Sequence, residues 1–531
     1  MSESKSKSGQ TIVQATALMM IGSIVGKGSS FLREILVGTR FGGMGVFSDA
    51  FYLGDQISGL IFNMLLGGAI SAAVTPTLAK GIENNQEKAV WKSISVFFTM
   101  MGLIMFAITI AGQFVTAPLF SFFLKDQYSQ HPETIIIAAR SAQVLYPQIF
   151  FMMLAGLCIG VMNAYKKFTA SAFGPAIYSV CVAIFIYFLA EPSEKGVVSA
   201  SVGMTIACFI YFLFQLIVGR NEMRHFQLSL DFGNPGFRHL LRLAIPSMIS
   251  GSFASLNQLI LSSLAGQFGE GVTTGLSQAK TLWQLPYGIL VVPVGTVMIP
   301  TLAGFIASKD HKFARGLLAK SLRRALFLMI PCAIIFFLLN EEIVRAAYKW
   351  RDTYTDEAVL RTSSILIGYC IAMIAHTFIF ILNQAFFATG KTGIPLIGGG
   401  MSLILTFIFG RLFSSLGMGE TGLAWAYSCA SVINALFLNI YYRSNRKLAP
   451  QSLIPFLVRA GICGLSLFVV IQLLLFIPFE PDSKIVQLIW LGFMCIAGFG
   501  AYLAMALSLR MREVRALMEK IPSRFLPGRV R

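Results

Sequence analysis

Long apolar runs separated by short charged segments organise the whole chain. A helix needs about 20 apolar residues to cross a bilayer core. Fourteen runs of roughly that length occur, near residues 12–37, 49–75, 90–113, 136–162, 170–190, 197–218, 240–264, 274–304, 320–339, 358–387, 394–414, 422–442, 455–478 and 485–508. They are too long and too evenly apolar for barrel strands, which alternate over about 10 residues. Unpaired backbone groups are costly in lipid, so helices are the predicted element throughout. The pattern predicts an all-α integral membrane protein with about 14 transmembrane helices.

The polar segments between the runs are not equivalent. After each even-numbered run comes a basic segment: Lys80, Lys88 and Lys92; Lys166 and Lys167; Arg220, Arg224, Arg238 and Arg242; Lys309 to Arg324; Lys391; Arg443, Arg446, Lys447 and Arg459. The tail after Arg510 is basic too, as are Lys5 and Lys7. The opposite segments carry few cations and most of the acids, including Glu191, Glu194, Glu270, Glu341, Glu342, Asp352, Asp356, Glu357, Glu480 and Asp482. Cytoplasmic loops are enriched in Lys and Arg. The alternation therefore predicts both termini in the cytoplasm. The polar start MSESKSKSGQ leads into a long helix without a short apolar region and small-residue cleavage site, which predicts a retained first span.

Composition fits this reading. Hydrophobic residues make up 56% of the 531 positions and charged residues 12%; a soluble domain is nearer 25% charged. The net charge of +18 is a topology signal that also favours anionic lipid headgroups. No nucleic-acid partner is expected, because the cations spread along one membrane face without aromatic interleaving. The eight cysteines all fall inside apolar runs and show no CxxC pairing, so they read as core residues.

The chain also repeats itself. Pro76-Thr77-Leu78-Ala79 recurs as Pro300-Thr301-Leu302-Ala303, and Asn163, Thr169 and Pro175 recur as Asn383, Thr389 and Pro395. The offsets span six helices, an even number, so the two halves keep the same orientation. Parallel repeats are a transporter architecture with the substrate site at the repeat interface. The predicted domains are two six-helix bundles, 1–225 and 226–448, followed by two helices and a basic tail, 449–531.

Charges inside spans are expensive in lipid and point to a cavity or a partner. In the first span Ser23, Lys27, Ser30 and Glu34 share a helical face, with Arg33 beside it. In the second, Asp49, Gln56 and Asn63 recur every seventh residue, with Asp55 adjacent. In the eighth, Ser277, Lys280, Gln284 and Tyr287 form another polar stripe. These stripes predict one cavity of net positive character, suited to a phosphate or diphosphate ligand. Arg140, Arg361 and Arg411 are weaker candidates, and His376, alone in its span, reads as a packing residue. There is no nucleotide-binding loop, metalloprotease motif or nucleophile elbow. No catalytic residue, metal or cofactor is expected, and transport would draw on the membrane potential, an ion gradient, the substrate gradient or a partner.

The stretches FLREILVGTRFGGMGVFSDAFYLGDQI, GGAISAAVTPTLAK, NAYKKFTASAFGPAIYS and LWQLPYGILVVPVGTVMIPTLA resemble the MurJ (MviN) family of lipid II flippases. The resemblance covers about the first 450 residues. It implies the MOP exporter fold, two six-helix bundles in a V. It implies movement of an undecaprenyl-diphosphate-linked muropeptide from the inner to the outer leaflet of the bacterial cytoplasmic membrane by alternating access. It implies the lipid-linked precursor and membrane lipids as partners, with the cell-wall synthesis machinery as a further candidate, and a lipid-tail groove on spans 13 and 14.

Arg33 matches a functional arginine of the family's first helix, and Asp49 matches its Ser/Thr-Asp-Ala-Phe acid. Lys27 stands where the family has another arginine. Two positions depart. The family's basic residue in the second helix is uncharged here, at Phe62 or Asn63, and its Asp-Arg-x-x-Glu pattern in helix 8 reads Lys280-Thr281-Leu282-Trp283-Gln284. The alternative reading is a flippase for another polyprenyl-diphosphate-linked glycan of the O-antigen or exopolysaccharide type. A cation-coupled drug exporter would favour acids over Lys27, Arg33 and Lys280, and a scaffold gives no reason for buried charges. The loop charges yield a direct test. Single cysteines near Glu194 and Asp352 should react with an impermeant thiol reagent added to intact cells, and one near Lys312 should not; external labelling at Lys312 would overturn the fourteen-span topology.

Overall fold

The computed structural model describes residues 21–22, 24–64, 73–124, 128–444, 453–477, 479 and 483–514. Ser23, the N-terminal lysines, Arg446, Lys447, Glu480, Asp482 and the tail after Val514 lie outside this set. Among the described residues there are helices and turns and no strand. In chain order they are α1 (24–40), α2 (Val46–Met64), α3 (Thr75–Glu83), α4 (Glu87–Leu124), α5 (Pro132–Ala164), α6 (Thr169–Leu189), α7 (Glu194–Gly219), α8 (Pro235–Ala265), α9 (Val272–Pro286), α10 (Val292–Ala307), α11 (His311–Leu338), α12 (Asn340–Tyr348), α13 (Asp356–Ala388), α14 (Gly393–Ser415), α15 (Thr421–Ser444), α16 (Ile454–Leu475) and α17 (Lys484–Ser508).

Every predicted span has a helix. Eleven spans are long and apolar enough to cross a bilayer by length and composition. The predicted spans 12–37 and 49–75 are described only in part, as α1 and α2, and the span 240–264 falls in α8, which carries several polar residues. Two features departed from the pattern. Helix α4 continues to Leu124, past the predicted end near 113, because the extra turns are themselves apolar. The short helix α12 forms within a polar segment between two predicted spans. It is held by a Glu341–Arg345 pair one turn apart at 2.8 Å.

The repeat extends to helix lengths. Helices α5 and α13 both have 33 residues and start 224 positions apart, at Pro132 and Asp356. The same step takes Glu87 of α4 to His311 of α11 and Thr169 of α6 to Gly393 of α14. Helices α3 and α10, which carry the two PTLA segments, end at Glu83 and Ala307, again 224 apart. Four helices thus recur in the same order at one offset, and α16 and α17 stand outside the repeat.

By internal packing the chain divides into two compact units. One comprises the described residues of Met1–Thr281, Arg351–Ala358 and Thr406–Leu423, the other those of Leu282–Trp350, Val359–Leu405 and Ala424–Arg531. In the first, α5 packs on α2, α4 and α7 around Phe51, Leu53, Ile137, Leu145 and Met204. Close approach fixes this packing: a Cβ on Gly54 would stand 2.5 Å from Ser141 Oγ and 3.2 Å from the Ala138 carbonyl oxygen. In the second, α11, α16 and α17 close over Phe327, Leu467, Ile471 and Tyr502.

Outside these cores the helices turn large apolar side chains outward. Phe122 is 82% exposed and Ile496 75%, which is the surface of a protein whose solvent is lipid. The chain is a multi-pass membrane protein. Replacing Gly54 with Leu would force α2 off α5 at an overpacking cost of about 1–3 kcal/mol; a lower unfolding temperature in detergent for Gly54→Leu than for Gly59→Leu, where a Cβ meets nothing within 4 Å, is the expected result.

Candidate functional site

The charged residues of the first unit fall into two groups. The inner group centres on Arg33. Its guanidinium Nη2 donates to Glu34 Oε1 at 2.6 Å, and Glu34 Oε2 accepts from the Tyr52 hydroxyl at 2.5 Å. Glu34 is 3% exposed. Arg33 also lies within electrostatic reach of Asp55 and Tyr178. Asp55 accepts from Ser58 Oγ at 3.3 Å. Arginine, with a fixed fork and a charge that is never lost, suits such a buried position between two acids. Glu34 shares a helical face with Lys27 in the sequence, but the fold gives it to Arg33.

Lys27 and Lys280 complete this group. Lys280 lies within electrostatic reach of both Glu34 and Lys27. Neither lysine makes an ion pair among the described residues. Lys27 is on a glycine- and serine-rich turn, and Ser30 Oγ reaches Ser179 Oγ on α6 at 3.0 Å, so α1 lies close to α6 there. The arrangement offers two available ammonium groups beside an arginine already engaged. A doubly charged anion is the ligand such a set accommodates.

The outer group centres on Asp49. It is 1% exposed. Oδ2 accepts from Gly271 N at 2.8 Å, and Oδ1 accepts from Thr274 N at 2.8 Å and Thr274 Oγ1 at 2.6 Å. The carboxylate therefore caps the N-terminus of α9, where free N–H groups and the helix dipole both favour negative charge. The seven-residue spacing seen in the sequence has a partner spacing. Gln56 Nε2 donates to Ser262 Oγ at 2.7 Å, and Asn63 Nδ2 donates to Ser255 Oγ at 2.9 Å. Going up α2 by seven goes down α8 by seven, as antiparallel helices require. The stripe on α2 is thus engaged in pairing with α8 and α9. The partner serines and Tyr52 were missed in the sequence; the spacing of Ser255 and Ser262 on α8 was their available signal.

Gln284 lies in the last turn of α9 and Tyr287 just beyond it, both in the second unit. There the backbone passes through a π-helical turn, Tyr287–Val291, a feature often found where helices bend at functional sites. Tyr287 packs edge-on against Trp283 and His376. His376 stacks on Tyr427 at 5.3 Å with its Nε2 3.2 Å from Ser431 Oγ, enclosed by rings. Arg140 pairs with Glu194 at the half-exposed ends of α5 and α7, and exposed Arg411 stands over Phe407.

A family model described as "Lipid II flippase MurJ" matches residues 39–493. The chain belongs to the lipid II flippase MurJ family. Relatives named as probable lipid II flippases include one from Rhizobium tropici, 27% identical over 78% of both chains. A Burkholderia cenocepacia protein named lipid II flippase MurJ is 24% identical over 78% of this chain and 81% of its own. The fold is similar to a solved lipid II flippase MurJ in an inward closed conformation, with TM-score 0.77, 23% identity and coverage of 94% and 100%. It is also similar to a multidrug resistance MATE transporter of the MOP superfamily, with TM-score 0.65, 14% identity and coverage of 82% and 97%. The expected fold class is therefore the observed one.

The Asp49 cap makes a prediction for this family member. Asp49→Asn keeps the shape but loses the charge and turns an amide toward two N–H donors. A hydrogen bond to a charged group contributes about 1.5–3 kcal/mol; amide exchange at Gly271 and Thr274 should accelerate roughly 30-fold for a loss near 2 kcal/mol. Unchanged exchange would show that the cap does not hold α9.

Proposed function

We propose that this protein flips an undecaprenyl-diphosphate-linked muropeptide from the inner to the outer leaflet of the bacterial cytoplasmic membrane, with both termini cytoplasmic. Family membership supports the substrate class, and the carrying observation is the Lys27–Arg33–Glu34–Lys280 group. Lys27 and Lys280 bind the diphosphate as point charges. Arg33, pinned by Glu34 and flanked by Asp55, sets the field of the site and keeps the two lysines from facing a purely cationic wall. Asp49, Gln56 and Asn63 act on the conformational side, by holding α2 to α8 and α9 while the outer end is closed. The substrate charge balances the lysines, so loading favours rearrangement, and the membrane potential or an ion gradient sets the direction. No cofactor takes part.

The second unit supports a role for the tail. A cleft of about 440 Å³ is lined by Ile374, Phe378, Leu436, Arg443, Leu453 and Leu457. It is apolar apart from Asn439 and Arg443. We place the polyprenyl chain along this face, beside α16, with Arg443 near the headgroup level.

Complementation of a strain depleted of its own lipid II flippase, together with a reconstituted lipid II flipping assay, tests this. Lys27→Ala and Lys280→Ala should each slow flipping more than about tenfold, the loss of one charge-assisted contact. Lys27→Arg should retain activity. Arg33→Ala should abolish flipping and also destabilise the protein, because it leaves Glu34 buried and uncompensated, at about 3–5 kcal/mol; adding Glu34→Gln should restore the melting temperature without restoring transport. Full flipping by the Lys27→Ala/Lys280→Ala protein would refute the site. Flipping of an O-antigen-type lipid in preference to lipid II would move the assignment to that substrate.

A further inference from the structure

One cluster outside the charged site has the composition of a metal centre. His131 Nδ1 lies 2.8 Å from Glu270 Oε1 and 3.6 Å from Glu133 Oε1. The three donor atoms all fall within 4.8 Å of one another. Sequence alone gave no hint of this, since no metal-ligand spacing joins His131 to Glu270. The fold makes the meeting. His131 precedes α5, Glu133 is in its first turn, and Glu270 is in the turn between α8 and α9.

The cluster is held in place from both sides. Tyr128, 3% exposed, lies 3.1 Å from the Ser262 carbonyl oxygen, to which it donates, and 2.7 Å from Thr273 Oγ1. Burial raises its phenol above the usual range, so it remains a donor. Its ring occupies the space a Cβ on Gly266 would need, 2.4 Å away. His131 N donates to the Tyr128 carbonyl at 3.1 Å, which ties the histidine to this anchor. On the other side, Gly269 and Gly271 adopt φ values of +94° and +82°, a left-handed backbone on each flank of Glu270 that favours glycine. Gly271 N is itself bound by Asp49.

We infer that His131, Glu133 and Glu270 form a binding site for a divalent cation of the zinc class that staples the segment before α5 to the α8–α9 turn. One imidazole nitrogen and two carboxylate oxygens suit Zn²⁺, whose bonds of about 2.0–2.2 Å place tetrahedral ligands some 3.4 Å apart. The separations of 2.8 and 3.6 Å bracket that value. The side chains are 30%, 53% and 40% exposed, so an ion reaches them and a water completes the shell. A hard cation such as Mg²⁺ or Ca²⁺ prefers an all-oxygen shell, so the imidazole selects against it. Metal binding there restrains the turn that carries the Asp49 contact. The loop charges read this end as external, so zinc outside the cell slows the step in which that end opens.

Isothermal titration of chelator-stripped, full-length protein in nanodiscs with ZnCl2 tests the site without any transport. One zinc per chain is expected, with affinity at least about tenfold weaker in His131→Ala and in Glu270→Gln, each variant melting as the wild type does. Should either variant fail to fold, zinc-edge X-ray absorption on the wild type decides. One imidazole among nitrogen and oxygen donors supports the assignment, and sulfur scattering would move the metal to a cysteine and overturn it. Absence of binding, binding unaffected by His131→Ala, or equal binding of Ca²⁺ would overturn it as well. Slowing of reconstituted flipping by zinc in the wild type but not in His131→Ala rests on the flippase reading; the titration does not, so the two fail separately.

Discussion

A bilayer offers neither hydrogen bonds nor ionic solvation, and every unusual feature of this chain answers that constraint. Apolar helices meet it trivially. The polar residues in α1, α2, α8 and α9 meet it by partnering one another. Glu34 has Arg33 and Tyr52, Asp49 has the first turn of α9, and Gln56 and Asn63 have serines on α8. Lys27 and Lys280 are set apart from this network by having no ion pair among the described residues. An unpaired ammonium within a membrane protein is costly to maintain, and a site that admits water and an anion is the physical setting in which that cost falls.

The same constraint separates positioning from binding. Arg33, the most conspicuous cation of the first span, is the one the fold neutralises. Its fork is partly committed to Glu34, and Asp55 lies within reach. It shapes the potential felt by a ligand more than it supplies a free hand. Asp49 likewise performs the work of a helix cap. Its carboxylate ties α2 to α9 through three hydrogen bonds, and the antiparallel pairing with α8 continues that tie by one contact every two turns.

The turn between α8 and α9 brings these contacts together. Glu270, flanked by Gly269 and Gly271, stands next to the residue whose N–H Asp49 holds. The segment carrying His131 is anchored to the same neighbourhood by Tyr128. A ligand shared by His131 and Glu270 would therefore act on the elements that the Asp49 and Tyr128 contacts join. Coupling of this kind needs no long pathway, because the interacting groups belong to adjacent residues in the chain.

How much was legible beforehand follows from the range of each signal. The repeat, with its 224-residue step from Pro76 to Pro300, shows when the chain is compared with itself, and the spans, their alternating loop charge and the polar stripes that carry Lys27, Asp49 and Lys280 are all local. Each depends on neighbours within a few turns, where period and composition are enough. Which charges neutralise one another was not local. Asp49 with Thr274, Asn63 with Ser255, and His131 with Glu270 are decided by packing across elements remote in sequence. Tertiary structure chose among them because a buried charge takes the partner that the backbone brings within hydrogen-bonding distance, and helical period alone cannot measure that distance.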